Sequence, residues 1–154
     1  MNLTPPPFSY RESPDHPGWM TWELRDPTRF NGLFGPMLLR VDEGVARVRM
    51  TPAHVHSNLS GAMHGGALMG FADMAIFAAA RGFGLIEAGV AVTLDFSAQF
   101  IGRAATGAPI EARVELLRET GRLLFLRGLI VQPRDDGDEV VLSFAATIRK
   151  PSAR

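Results

Sequence analysis

Apolar residues crowd into one stretch of this chain and alternate with polar ones along most of the rest. The crowded stretch runs from Asn58 to Arg81, NLSGAMHGGALMGFADMAIFAAAR. From Gly65 to Ala80 only Asp73 carries a charge, and no proline intervenes. Ala, Leu and Met favour helix, and Arg81-Gly82 supplies a last-turn cation and a C-cap glycine, so a helix is predicted over Gly65–Arg81. Apolar all round, it is expected to be buried on most sides. It is too short and too rich in Ala and Gly for a membrane span, and the acid at its middle argues further against one.

On either side the period changes to two. GPMLLRVDEGVARVRM reads as two strands around Asp42-Glu43-Gly44, with Ala46, Val48 and Met50 on one face and Val45, Arg47 and Arg49 on the other. After the helix come strands at Ala91–Ile101, Pro109–Arg118, Arg122–Val131 and Val140–Ile148, with turns at Glu119-Thr120-Gly121 and Arg134-Asp135-Asp136-Gly137. In the second of these Glu111, Arg113 and Glu115 face away from Ile110, Ala112, Val114 and Leu116. About six strands and one long helix after the second make an α+β class. A curved antiparallel sheet wrapped around the helix would bury it. Residues 1–34 form an N-terminal arm that begins with Pro5, Pro6, Pro7, Pro14 and Pro17, and 35–150 form the body. Trp19, Trp22, Phe30 and Phe34 could anchor the arm on the body or on a neighbouring subunit.

Composition narrows the function. The 154 residues make one domain with 46% hydrophobic and 21% charged side chains. Lys+Arg and Asp+Glu both number 16, which removes the electrostatic case for nucleic-acid or membrane-surface binding. With no cysteine there is no disulfide, thiolate nucleophile or Cys-ligated metal. MNLTPPPFSY lacks the basic stretch and apolar core of a signal peptide, so a cytoplasmic location is expected.

The candidate chemistry lies on the helix. Gly65 and Gly66 stand at its start, where unpaired N–H groups and a partial positive charge can receive a carbonyl or phosphate; tight packing is the alternative reading. Asp73, in mid-helix with no Lys or Arg within four positions, is either a general base or a seam residue bonded to a neighbour's backbone. Eight residues of helix separate Gly65 from Asp73, a rise of roughly 12 Å. One small acyl group cannot touch both within a chain, so joint action requires two helices related by a two-fold axis. His54 and His56 could share a face as metal ligands, but with no acid or cysteine nearby no metal is expected. His64 can cap the helix, and Asn58 can offer an amide to water or substrate.

Asn58, His64, Gly65, Gly66 and Asp73 spell N-x5-H-G-G-x7-D, which resembles the signature of hotdog-fold acyl-CoA thioesterases of the PaaI-like type, in the 4-hydroxybenzoyl-CoA thioesterase superfamily. VTLDFSAQFIGRA, in the place of the family's strand after the helix, and LLRETGRLLF, like its hairpin, extend the resemblance over roughly residues 35–150. It implies a hotdog fold and hydrolysis of an acyl-CoA with an aromatic or medium-chain acyl group, coenzyme A being part of the substrate and no cofactor being needed. It also implies a thioester oxygen bound at the Gly65 amide with Gly66 beside it. Asp73 then acts as general base or nucleophile from the partner subunit, and Asn58 orients water or substrate. His64 stands beside the glycine turn, and Thr93 matches an assisting hydroxyl residue. Arg103 and Arg122 are the candidates for the CoA phosphates. A homodimer with a shared site, and a dimer of dimers, follow from the same likeness. Two other readings are an acyl-thioester hydratase or dehydratase, and a hotdog module that binds acyl-CoA without turning it over.

Overall fold

A computed structural model describes residues 5–87 and 91–151; residues 1–4, the start of the N-terminal arm, lie outside the described residues. Among the described residues, one antiparallel sheet of eight strands curves around one α-helix, the hotdog arrangement. The strands are β1 (Phe8–Glu12), β2 (Met20–Leu24), β3 (Met37–Asp42), β4 (Val45–Met50), β5 (Val92–Phe100), β6 (Ile110–Glu119), β7 (Leu123–Gln132) and β8 (Glu139–Arg149), and the helix α1 is Gly65–Gly82. Their order across the sheet is β1-β2-β3-β4-β6-β7-β8-β5, so β1 and β5 are its edges. The β3–β4 hairpin turns on Glu43 and Gly44, at φ 49° and 79°, with Asp42 paired to Val45. A tight two-residue turn needs φ > 0 at both central positions, and Gly44 meets that at no steric cost.

The helix nests against the inner sheet face because its contact residues are small or flat. Ala72, Ala75, Ala78 and Ala79 are fully buried and let strands approach closely, while Phe71 and Ile76 share one buried core with Leu39, Ile110, Leu142 and Ile148. Burial on most sides is what the sequence predicts, yet one stripe is left partly open: Gly66, Met69, Gly70, Asp73, Phe77 and Arg81 are half-buried or exposed. They recur at the i, i+3, i+4, i+7 spacing of a single helix face. The sheet covers the other faces.

Two strands more than the expected six come from the arm. β1 pairs with β2, and β2 continues onto β3 through Met20↔Leu39 and Trp22↔Met37. The arm thus docks by lengthening the sheet. Trp22 turns inward and is 3% exposed, stacked on Phe8 at 4.1 Å, while Trp19 caps the outer face. There the Arg49 and Arg47 guanidinium groups lie 4.4 and 5.5 Å from its ring.

Beneath those arginines lies Glu111, paired across the strands with Arg49. The sequence pattern turns Glu111 away from Ile110, Ala112 and Val114, and it is on the outer face, but its side chain is fully buried. Arg47 donates to it from Nε and Nη2 at 2.9 and 3.1 Å, Arg113 from Nε at 2.8 Å, and Arg49 from Nε. Burial pushes the carboxyl up, and the three guanidinium groups more than reverse this, bringing it down to about 2.

Candidate active site

Two groups of side chains form on the helix, about as far apart as its rise requires. At its N-terminus His64 is the cap, with extended backbone (φ −64°, ψ 140°) and Nδ1 accepting from the Gly66 N–H at 2.8 Å. The Leu68 N–H bonds to the His64 carbonyl. The Gly65 and Ala67 amides are therefore the first-turn donors with no acceptor in the helix. Packing accounts for part of the glycine pair. A Cβ on Gly65 would lie 3.2 Å from the Phe100 ring, and one on Gly66 would lie 3.1 Å from His64 Nδ1.

Asn58 stands beside this turn with its orientation fixed. Its Oδ1 accepts from the Ser60 N–H at 2.9 Å, the Ser60 hydroxyl at 2.8 Å and the Ala62 N–H at 3.1 Å. That leaves its amide Nδ2 as the donor without a bond among the described residues. The exposed Arg103 reaches the Ser60 carbonyl and hydroxyl at 3.4 Å, which places it at the same end. His56 has another role from the metal ligand weighed above. It is 6% exposed, accepts from the Ala53 N–H at Nδ1 and holds the Leu33 carbonyl at 2.7 Å through Nε2. It ties the 3-10 turn Phe30–Phe34 to the loop before the helix. Among the described residues no group of three or more His, Cys, Asp or Glu is placed to hold a metal.

The second group is Asp73 and Thr93. The Thr93 hydroxyl donates to Asp73 Oδ1 at 2.7 Å. A β-bulge makes the contact possible: the register with β8 shifts between Thr93 and Asp95. Phe96 and Ala98 face inward, so strict alternation would turn Leu94 inward and Thr93 out. The extra residue reverses that phase, leaving Leu94 53% exposed and Thr93 half-buried against the helix. Among the described residues no cation bridges Asp73.

Asp73 lines a recess of about 140 Å³ with Met74 and Phe77 from the helix, Phe8 and Trp22 from the first two strands, and Asn31 from the 3-10 turn. The sequence singles out none of Phe8, Trp22 and Asn31 as a site residue: Phe8 and Trp22 leave only a faint signal, aromatic rings in a proline-rich arm, and Asn31 leaves none. Arg122 is exposed on the β6–β7 turn, where its carbonyl accepts from the Lys150 N–H. It stands at the end of β8 that pairs with Thr93, whereas Arg103 stands at the end near Phe100. Within one chain the structure brings Asn58, Arg103, His64, Gly65 and Gly66 to one place, and Asp73 and Thr93 to another with Arg122 at their end of the sheet.

The edge strand β5 lies alongside both groups. Phe100 covers Gly65 and Thr93 holds Asp73. Its Val92, Leu94 and Phe100, and Ile101 beyond it, are exposed apolar residues between 45% and 55% accessible. Among the described residues no helix is long and apolar enough to cross a membrane.

Comparison with known proteins agrees with the fold. The family model of the thioesterase superfamily matches residues 60–138, just over half of the chain. Among solved structures, the TT0310 protein of Thermus thermophilus is 27% identical with a TM-score of 0.63, over 82% of this chain and 99% of that one. A mutant of the phenylacetic acid degradation protein PaaI from the same organism is 26% identical with a TM-score of 0.62, over 81% and 99%. A hypothetical thioesterase protein of Streptococcus pneumoniae, solved with coenzyme A, shares the fold at 17% identity and a TM-score of 0.67, over 80% and 92%. Comparison with curated proteins finds no match.

Proposed function

The chain belongs to the thioesterase superfamily as a PaaI-like hotdog thioester hydrolase, and from that premise we propose that it hydrolyses acyl-CoA in a site completed by a second copy. The observation that carries the reading is Asp73: a half-buried carboxylate in a largely apolar recess, held by one neutral hydroxyl and bridged by no cation among the described residues. A carboxylate so placed can take a proton from water. The water oxygen adds to the thioester carbon, and the oxyanion is received by the Gly65 amide at the positive end of the helix. Collapse breaks the C–S bond, and the proton passes to the departing CoA thiolate. Asp73 can alternatively attack the carbonyl carbon itself, with water then cleaving the anhydride.

The edge strand supports the shared site. A long apolar edge invites pairing, and two β5 strands set antiparallel about a two-fold axis bring the Thr93 end of one beside the Phe100 end of the other. Asp73 of one copy then approaches Gly65 of the other. Arg122 and Arg103 from different copies meet at the same end, where CoA phosphates need cations. The Streptococcus protein solved with coenzyme A supports CoA as the thiol portion.

Thiol release from a panel of short, medium, long and aromatic acyl-CoAs tests this, with Asp73→Asn beside the wild type. Turnover that falls at least about 100-fold in the variant is expected. Wild-type protein that folds, binds CoA and releases no thiol from any member would overturn hydrolysis in favour of a binding module, and hydration of crotonyl-CoA would point to a hydratase.

A further inference from the structure

We infer that the first two strands are the ruler of the acyl site: the stacked pair Phe8–Trp22 sets the upper size of the acyl group at about one six-membered ring. The inference rests on the hydrolytic reading above and assigns a role to a segment outside the family match at residues 60–138. The recess holding Asp73 measures about 140 Å³. An engineered apolar cavity of about 150 Å³ takes up benzene, so a recess of this size suits a phenyl ring or a short aliphatic chain. Its helix side is fixed by Met74 and Phe77, and the opposite side is the arm.

The two rings of that wall lie 4.1 Å apart at an interplanar angle of 5°. Trp22 is 3% exposed and held between β1 and β3, while Phe8 is half-buried at the sheet edge. Both residues also line a second recess of about 240 Å³, whose other residues include Tyr10, Arg25 and Arg81. The stacked pair is thus a partition between two recesses, largely apolar on the Asp73 side and more polar on the other. An acyl chain that outgrows the first recess meets the partition. If the partition is thinned, the chain has somewhere to go.

The test is kcat/KM for thiol release from acetyl-, butyryl-, hexanoyl-, octanoyl-, decanoyl-, benzoyl- and phenylacetyl-CoA, with wild type, Phe8→Ala and Phe8→Trp. Wild type is expected to favour single-ring or short acyl groups and to lose at least about 10-fold by decanoyl. Phe8→Ala should raise the decanoyl-to-butyryl ratio about 10-fold or more, and Phe8→Trp should lower the phenylacetyl-to-acetyl ratio. Trp22→Leu, which thins the partition from the other side, should move the profile as Phe8→Ala does, and thermal unfolding checks that each variant is folded. Wild-type turnover with the same profile in the folded variants would overturn the ruler alone. No wild-type turnover on any member would overturn the ruler and the hydrolytic reading together.

Discussion

Replacing Glu111 by Gln removes one charge from the middle of the outer sheet face while preserving shape. The wild-type carboxylate is fully buried and accepts from Arg47, Arg49 and Arg113. Its pKa moves from an ordinary 4.5 to about 2. At about 1.4 kcal/mol per pH unit, that displacement corresponds to about 3 kcal/mol of stability. Because the folded value lies below the unfolded one, the contribution is complete above about pH 4.5 and is lost as the pH falls through about 2. Glutamine leaves three guanidinium groups around a neutral amide, so a comparable loss, about 3 kcal/mol, is expected at pH 7. In a chain of this length that lowers Tm by about 6–12 °C. Urea unfolding at pH 7, 4.5 and 3, at one fixed protein concentration, measures it. Wild type should weaken between the two lower pH values, and the variant should lack this group's share of that decline. The arginines also carry Trp19, so the variant should loosen the first two strands before the rest. A variant within about 0.5 kcal/mol of wild type at pH 7 would mean that the buried carboxylate contributes nothing to stability.

Gly65→Pro deletes one N–H and little else. Proline is favoured at the first helical position, and His64 already has the extended backbone that a residue before proline prefers. The exposed Phe100 ring can shift to admit the new ring. Circular dichroism should show the fold retained, while kcat for thiol release falls about 10²–10³-fold. At Trp22 two substitutions should separate. Trp22→Ala should cost about 3–5 kcal/mol in urea unfolding. Trp22→Phe, which keeps an aromatic ring beside Phe8 and removes a buried indole N–H that has no hydrogen-bond partner among the described residues, should stay within about 1 kcal/mol of wild type.

The helix, the β3–β4 hairpin and the four later strands were legible because each has a strong local period and its own punctuation. The Asp42-Glu43-Gly44 turn and the uninterrupted run from Gly65 are local signals that tertiary contacts reinforce. The first two strands were not legible. FSYRE and MTWEL are five residues each, separated by a segment with two prolines, and what holds them is pairing to β3 and burial of Trp22. The same limit applies to Glu111, whose alternation says only that it faces outward. Its burial depends on arginines from a neighbouring strand and on Trp19 from far along the chain. At the candidate site Asp73, Gly65 and Asn58 stood out by residue type and spacing. The Asp73–Thr93 contact depends on a bulge, and a bulge leaves no composition signal in VTLDF.

The most direct test of a site shared between copies is complementation. Asp73→Asn and Gly65→Pro proteins are each expected to be nearly inactive alone, for different reasons. Unfolded together and refolded as a mixture, half of the dimers should be mixed. Each mixed dimer has one intact site, with Gly65 from the first chain and Asp73 from the second. Thiol release from the best acyl-CoA should recover to roughly a quarter of the wild-type rate. A mixture that exchanges subunits yet remains as inactive as its parents would contradict a site built from two chains.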